Sequence, residues 1–280
     1  MKLIDGLLNL AGLLLWLQWR GTPFPFGARS RVGRFPSLTQ AGNARGLRRW
    51  LGLGGLVGLL GIRAWAYWRV GSDLNWVAAL SLGPVTLAFN SVSLDRMLVY
   101  SLAAFGLTLG GFYLWLLLLS AASRTLPEAD AWRQFVRLQL GWLAPWPAPV
   151  KLLLPVPLVA VLWCVANPGL VYLGLIPPCL SIPHLIEESV LMGAGSMLAW
   201  KPLLLLVMGV HIVSSYLYLG DHPLLAFVNA VARNLLRPLR LVPLCLGKLD
   251  LAPMIGMALV YFGANFASRG LVWVYGRLPL

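Results

Sequence analysis

Long apolar blocks separated by short basic segments set the pattern of this chain, and the blocks are of membrane-crossing length. Five stand out: residues 50–68, 97–119, 152–176, 202–219 and 251–275. A sixth, LIDGLLNLAGLLLWLQW at 3–19, is about 25 Å long as a helix, the lower limit for a crossing. A signal peptide is a rival reading of that block, opposed by Asp5, Asn9, the bulky end at Trp16 and Trp19, and the lack of an A-x-A site. An interfacial helix is the other alternative. The pattern predicts an all-α fold: a polytopic helical membrane protein with about six transmembrane helices.

Within the blocks, local features suggest how helices meet. Gly54-x-x-x-Gly58 predicts close approach of a neighbouring helix. Tryptophans at both ends of 50–68 suit the two interfaces, and Arg63 is placed to snorkel to headgroups. Pro155, Pro157 and Pro168 predict kinks in the fourth span. The segment 20–49, with seven arginines, Pro23, Pro25 and Pro36, reads as a linker without a folded domain.

Charge gives the orientation. With the 20–49 linker in the cytoplasm, alternation places 120–151 and 220–250 there too, and fifteen of the 22 basic residues then fall on that side. Composition agrees with a membrane setting: 59% hydrophobic, 11% charged, mean hydropathy +0.78. The net charge of +13 then fits anionic lipid rather than nucleic acid, for which no binding motif is present. Cys164, Cys179 and Cys245 have neither disulfide-framework nor metal-ligand spacing.

Two parts of the chain resemble each other, giving three segments: 1–95, a membrane pair with its linker; 96–180, a first hairpin repeat; and 196–280, a second. Arg96-Met97-Leu98 parallels Ser196-Met197-Leu198. Pro127-Glu128-Ala129-Asp130 parallels Asp221-His222-Pro223, and Trp132-x-x-Phe135-Val136 parallels Leu224-x-x-Phe227-Val228. Pro145 and Pro238 follow the basic stretches, and Ala166-Asn167 matches Ala264-Asn265. Each repeat reads as span, amphipathic loop, span, in parallel orientation.

The loop of the second repeat is the most informative stretch. From Pro223 to Arg237 the pattern predicts an amphipathic helix, with Phe227, Val231 and Leu235 on one face and Arg233 and Arg237 on another. It is expected to rest on the inner leaflet, with Arg233, Arg237, Arg240 and Lys248 as contacts for lipid or a partner. Pro238 is expected to end the helix, and residues 239–248 to skim the interface. Asp250 is placed to N-cap the last span, with Pro253 in its first turn.

These residues carry a family resemblance. Asp221-His222-Pro223, Phe227, Arg233, Leu236-Arg237-Pro238-Leu239-Arg240, Pro243 and Asp250-Leu251-Ala252-Pro253 resemble the YggT family, over about 203–260. The R-P-L-R and D-x-x-P elements are not repeated in the first hairpin, and residues 1–95 lie outside the resemblance. It implies a small helical protein of tandem hairpins in the bacterial inner membrane, without recognised catalytic activity. Family roles in osmotic tolerance, division or nucleoid organisation, and assembly of photosynthetic cytochromes are what it implies about function.

Chemistry-bearing residues are few. His184, Glu187 and Glu188 cluster in one helical turn, read as the water-facing side of an outside interfacial helix over about 183–198 rather than a metal site. His211 lies inside the fifth span, and Asn167 and Asn265 lie in the fourth and sixth. The expected arrangement is a neutral His211 bonded to Asn167 or Asn265, with haem ligation or a proton relay as the alternative. H-E-x-x-H, G-x-S-x-G and P-loop signatures are absent. No cofactor is expected. The leading expectation is a non-enzymatic scaffold or assembly factor whose partners are anionic headgroups and a membrane complex or a second copy. A channel or transporter in osmotic adaptation, and a haem or metal protein using His211 or His184, are the alternatives.

Overall fold

A computed structural model describes residues 2–21, 42–74, 76–124, 126–127, 130–177, 181–217, 220, 222–239, 245–246 and 249–277. The chain divides into two compact units, Met1–Leu80 with Leu87–Phe112, and Ser81–Thr86 with Tyr113–Leu280. Among the described residues five helical stretches are long and apolar enough to cross a membrane: Arg49–Gly71, Leu94–Ala122, Ala148–Tyr172, Ile182–Tyr216 and Ala252–Tyr275. The architecture is all-α and polytopic, and these five stretches coincide with the five long blocks.

The first unit is built on a helix pair, α1 (Lys2–Arg20) and α2 (Gly42–Leu74). The two run antiparallel: Gly52 lies against Leu15 and Trp19, and Arg63 reaches Asn9 and Asp5. The pairing covers Asp5 to Trp19, about 21 Å of helix. The close approach is made by Gly52, where a Cβ would lie 3.2 Å from the Trp19 nitrogen and 3.3 Å from the Leu15 oxygen. Gly54 and Gly58, the expected contact pair, have nothing within 4 Å of such a Cβ. The correction has a helical cause: Gly52 and Gly54 are about 200° apart around α2, so one cannot face α1 if the other does. Helix α2 also starts inside the expected linker, at Gly42; residues 22–41 lie outside the described residues.

A hairpin absent from the sequence reading follows α2: β1 (Val77–Leu82) pairs with β2 (Val85–Asn90). Val85, Leu87 and Phe89 are buried and alternate with exposed neighbours, the period of a half-buried strand. The two-residue turn holds Gly83 at φ +64°, a conformation glycine adopts without strain. Helix α3 (Leu94–Ala122) then begins in the first unit and ends in the second.

In the second unit follow α4 (Ala131–Leu140), α5 (Ala148–Leu153) and α6 (Pro155–Tyr172). The α5–α6 boundary sits at Leu154, because Pro155 has no amide hydrogen to continue the ladder. Next come α7 (Ile182–Ser196), α8 (Lys201–Tyr216), α9 (Pro223–Leu235) and α10 (Ala252–Tyr275). Helix α8 begins at Lys201, as expected for a fifth span from near Pro202, and the helical path continues back through a 3₁₀ turn at Met197–Trp200 to Ile182, so that one stretch runs Ile182–Tyr216. At 1.5 Å per residue its 35 residues exceed the roughly 30 Å hydrocarbon core. Helix α7, expected as an outside interfacial helix over about 183–198, is the first part of this stretch. It packs antiparallel on α6, with Gly193 against the Val156 carbonyl and Ser189 Oγ 3.0 Å from Cys164 Sγ. At the 3₁₀ turn, Trp115 Nε1 donates to the Ala199 carbonyl (2.8 Å) and Trp200 Nε1 donates to the Leu114 carbonyl (2.9 Å). The order apolar helix, amphipathic helix, apolar helix thus occurs twice, as α3–α4–α5/α6 and α8–α9–α10.

Candidate functional site

The two amphipathic helices come together. Helix α4 packs on α9, and Asn234 of α9 donates to the Ala122 carbonyl at the end of α3 (2.7 Å). Both begin with a side-chain cap: Asp130 accepts from the amides of Trp132 (2.9 Å) and Arg133 (3.0 Å), and His222 accepts from Leu224 (3.2 Å). In α4 the apolar positions Phe135, Val136 and Leu140 are buried, which turns Arg133 and Arg137, one turn apart, toward the end of α3 and the start of α5.

There they line a cavity of about 210 Å³ with Ser120, Ser123, Arg124, Trp146 and Lys151. The sequence reading counted Lys151 as a loop cation, but it lies in α5 and is only 2% exposed. Its ammonium donates to Ser120 Oγ (2.8 Å) and to the Ala144 carbonyl (2.6 Å), both neutral acceptors. Arg124 reaches the Trp146 carbonyl at 3.4 Å, and Arg133 donates to the Leu126 carbonyl. Four cations therefore share one small cavity, and among the described residues no carboxylate lines it. The signal was present in sequence: Ser120 and Lys151 stand just past the ends of consecutive apolar blocks, which a hairpin brings level.

The second-loop residues fall differently. Arg233 and Arg237 are exposed, while Phe227, Val231 and Ala232 are buried, so the amphipathic reading of α9 holds. The helix ends two residues earlier than expected, at Leu235, because proline at 238 disfavours helical geometry in the residue before it. Pro223 opens α9, and Pro253 occupies the first turn of α10. Leu236 and Leu239 pack on the bare face of Gly256, beside Met208. Asp250 is not the N-cap of α10. It belongs to a short strand, β4 (Leu249–Asp250), paired antiparallel with β3 (Cys245–Leu246), and Leu251 takes the cap position. Asp221, Arg240 and Lys248 lie outside the described residues.

The intramembrane polar residues do not converge. His211 Nδ1 pairs with Asn229 Oδ1 of α9 (2.9 Å), and Ser214 Oγ donates to the same oxygen (2.7 Å). The expected partners were Asn167 and Asn265; Asn167 is buried in α6, and Asn265 accepts from Lys201 (2.7 Å), whose ammonium stands 4.8 Å from the Tyr261 ring centre. An asparagine on the amphipathic helix wins because α9 packs along α8. Glu188 was expected to face water. It is 6% exposed and accepts from Tyr275 Oη (3.3 Å), whereas Glu187 is exposed. Among the described residues no three His, Cys, Asp or Glu side chains gather where a metal could be held.

The first unit holds a polar cluster that sequence reasoning missed. Arg63, read as a snorkelling cation, is 3% exposed and donates to Asp5 Oδ1 (2.7 Å) and Asn9 Oδ1 (2.6 Å). Asp5 also accepts from Tyr67 (2.7 Å) and Tyr100 (3.2 Å). The guanidinium lies 5.5 and 5.4 Å from those two ring centres, and Trp76 and Phe89 complete the aromatic wall. Position alone could have paired the charges, since each sits near the same end of an antiparallel helix pair. No family model, curated protein or solved structure matches the chain.

Proposed function

We propose that this is a non-enzymatic integral membrane protein of the YggT type, a scaffold or assembly factor of a bacterial inner membrane. Its basic loops face the cytoplasm, where anionic headgroups and a partner's acidic surface are available. In this reading α1 is a sixth crossing, supported by its full-length pairing with α2. The repeated span–amphipathic helix–span order supports a tandem-hairpin origin. The single observation that carries the proposal is the joining of α4 and α9 into one surface, beside which Arg124, Arg133, Arg137 and Lys151 gather.

Affinity purification of the full chain in mild detergent, followed by mass spectrometry, tests it. The expected result is a stoichiometric membrane partner that is lost when Arg233 and Arg237 become glutamine. Purification of the chain with no stoichiometric partner sinks the scaffold reading. Ion flux in liposomes that disappears in Asn167→Leu/Asn265→Leu would replace it with a channel.

A further inference from the structure

The cavity at the junction of α3, α4 and α5 is basic beyond what packing requires. Among the described residues the partners of buried Lys151 are a hydroxyl and a carbonyl, and neither neutralises its charge. Arg124, Arg133 and Arg137 line the same space and add three like charges beside Lys151. The acid on the same helix, Asp130, accepts at Oδ1 from two amides of α4 and does not line the cavity. Helix α4 is amphipathic, and both of its arginines line this space.

Size narrows the occupant. The cavity of about 210 Å³ far exceeds the ~10–15 Å³ that one water needs and is below the ~300–1,000 Å³ of common small-molecule pockets. Chemistry narrows it further. Guanidinium groups match the oxygens of phosphate in paired hydrogen bonds, and a buried ammonium supplies a point charge at the back of the site. A diester phosphate carries one negative charge. A monoester carries about −1.5 to −2 at neutral pH and three terminal oxygens, which answers four cations and two serine hydroxyls better.

We infer that Lys151, Arg124, Arg133 and Arg137, with Ser120 and Ser123, form a binding site for a phosphate monoester dianion. The inference rests on reading this basic surface as the one that meets anionic headgroups. Two sources share the chemistry: a lipid whose headgroup is a bare phosphomonoester, and a soluble phosphate. The cavity adjoins the ends of two apolar helices, where either can arrive.

Two probes separate the sources. The full chain is placed in phosphatidylcholine nanodiscs, with and without added phosphatidic acid, and its thermal unfolding is followed; the detergent-purified chain is titrated with inorganic phosphate by calorimetry. Stabilisation by phosphatidic acid, but not by equal charge as phosphatidylglycerol, establishes the lipid source. Binding of inorganic phosphate without a phosphatidic acid effect establishes the soluble one. Arg124→Gln/Arg137→Gln changes two exposed side chains, and its unfolding temperature without either probe is expected to match the parent's. It is expected to weaken either interaction about tenfold per arginine. The inference is overturned if neither probe acts, if phosphatidylglycerol acts equally well, or if the double variant binds as tightly as the parent. Capture of a protein partner through Arg233 and Arg237 is a separate readout, so loss of one reading leaves the other measurable.

Discussion

Arg63 and Lys151 are both cations almost wholly removed from solvent, one in each unit, and their surroundings are opposite. Arg63 meets a carboxylate at 2.7 Å, and that carboxylate also accepts from two tyrosines. Lys151 meets a hydroxyl and a carbonyl, with three arginines around the adjoining cavity. The first charge is answered by the chain itself, and its cluster ties α1, α2 and α3 together. Among the described residues the second is answered by dipoles, and it lines a cavity. Burial of a charge therefore says little about its use until its counter-charge is found.

Removing the counter-charge is the strongest way to break this contrast. Asp5→Ala leaves Arg63 buried and unpaired, and a loss of about 3–5 kcal/mol is expected in denaturant titration of the detergent-purified chain. Joint replacement, Asp5→Leu with Arg63→Leu, should recover most of it; equal losses for the single and double variants would refute a pairing role. Moving the helices apart acts on the same pair. Gly52→Val pushes backbone at Trp19 and Leu15, and about 1–3 kcal/mol should be lost. Gly54→Val has no neighbour to displace, so its loss should be clearly smaller in the same titration.

The other side of the contrast calls for smaller effects. Asp130→Ala removes the cap of the helix that carries Arg133 and Arg137, and about 1 kcal/mol should be lost, with Asn restoring most of it. Lys151→Met sharpens the comparison by sign. Replacing a buried charge that has no counter-ion among the described residues with an apolar side chain of similar size should change stability in phosphate-free detergent by less than about 1 kcal/mol, or raise it. A loss comparable to that of Asp5→Ala would place Lys151 with Arg63 as a structural charge.

Much of the architecture was legible because apolar length is a one-dimensional signal. The five long blocks are helices, and Phe227 and Val231 are buried opposite exposed Arg233 and Arg237, as their spacing implies. Contacts between distant segments became legible only with the helices paired end to end. Arg63 and Asp5 are 58 residues apart, and each alone looks like a charge near a membrane surface. Lys151 looked like a loop residue because only the fold of α5 against the end of α3 buries it. The hairpin over 77–90 did carry a signal, alternation around Gly83-Pro84, in strands too short to stand out beside the long apolar blocks. Asp250 misled because a carboxylate before Pro253 fits a cap by spacing, while the short strand pair draws it one residue too far away.

The exchange between Trp115 and Trp200 gives the long α7–α8 stretch a mechanical pivot. Each indole holds a backbone carbonyl on the other's element, so rotation of either strains both bonds at once. Ala199 can accept the indole readily because the residue three places on is Pro202, which offers no amide. Bending on either side of the 3₁₀ turn leaves this clasp intact, whereas sliding α8 along α3 breaks it in a single step. The corner therefore resists a change of register between α8 and α3, because such a slide has to break both bonds together.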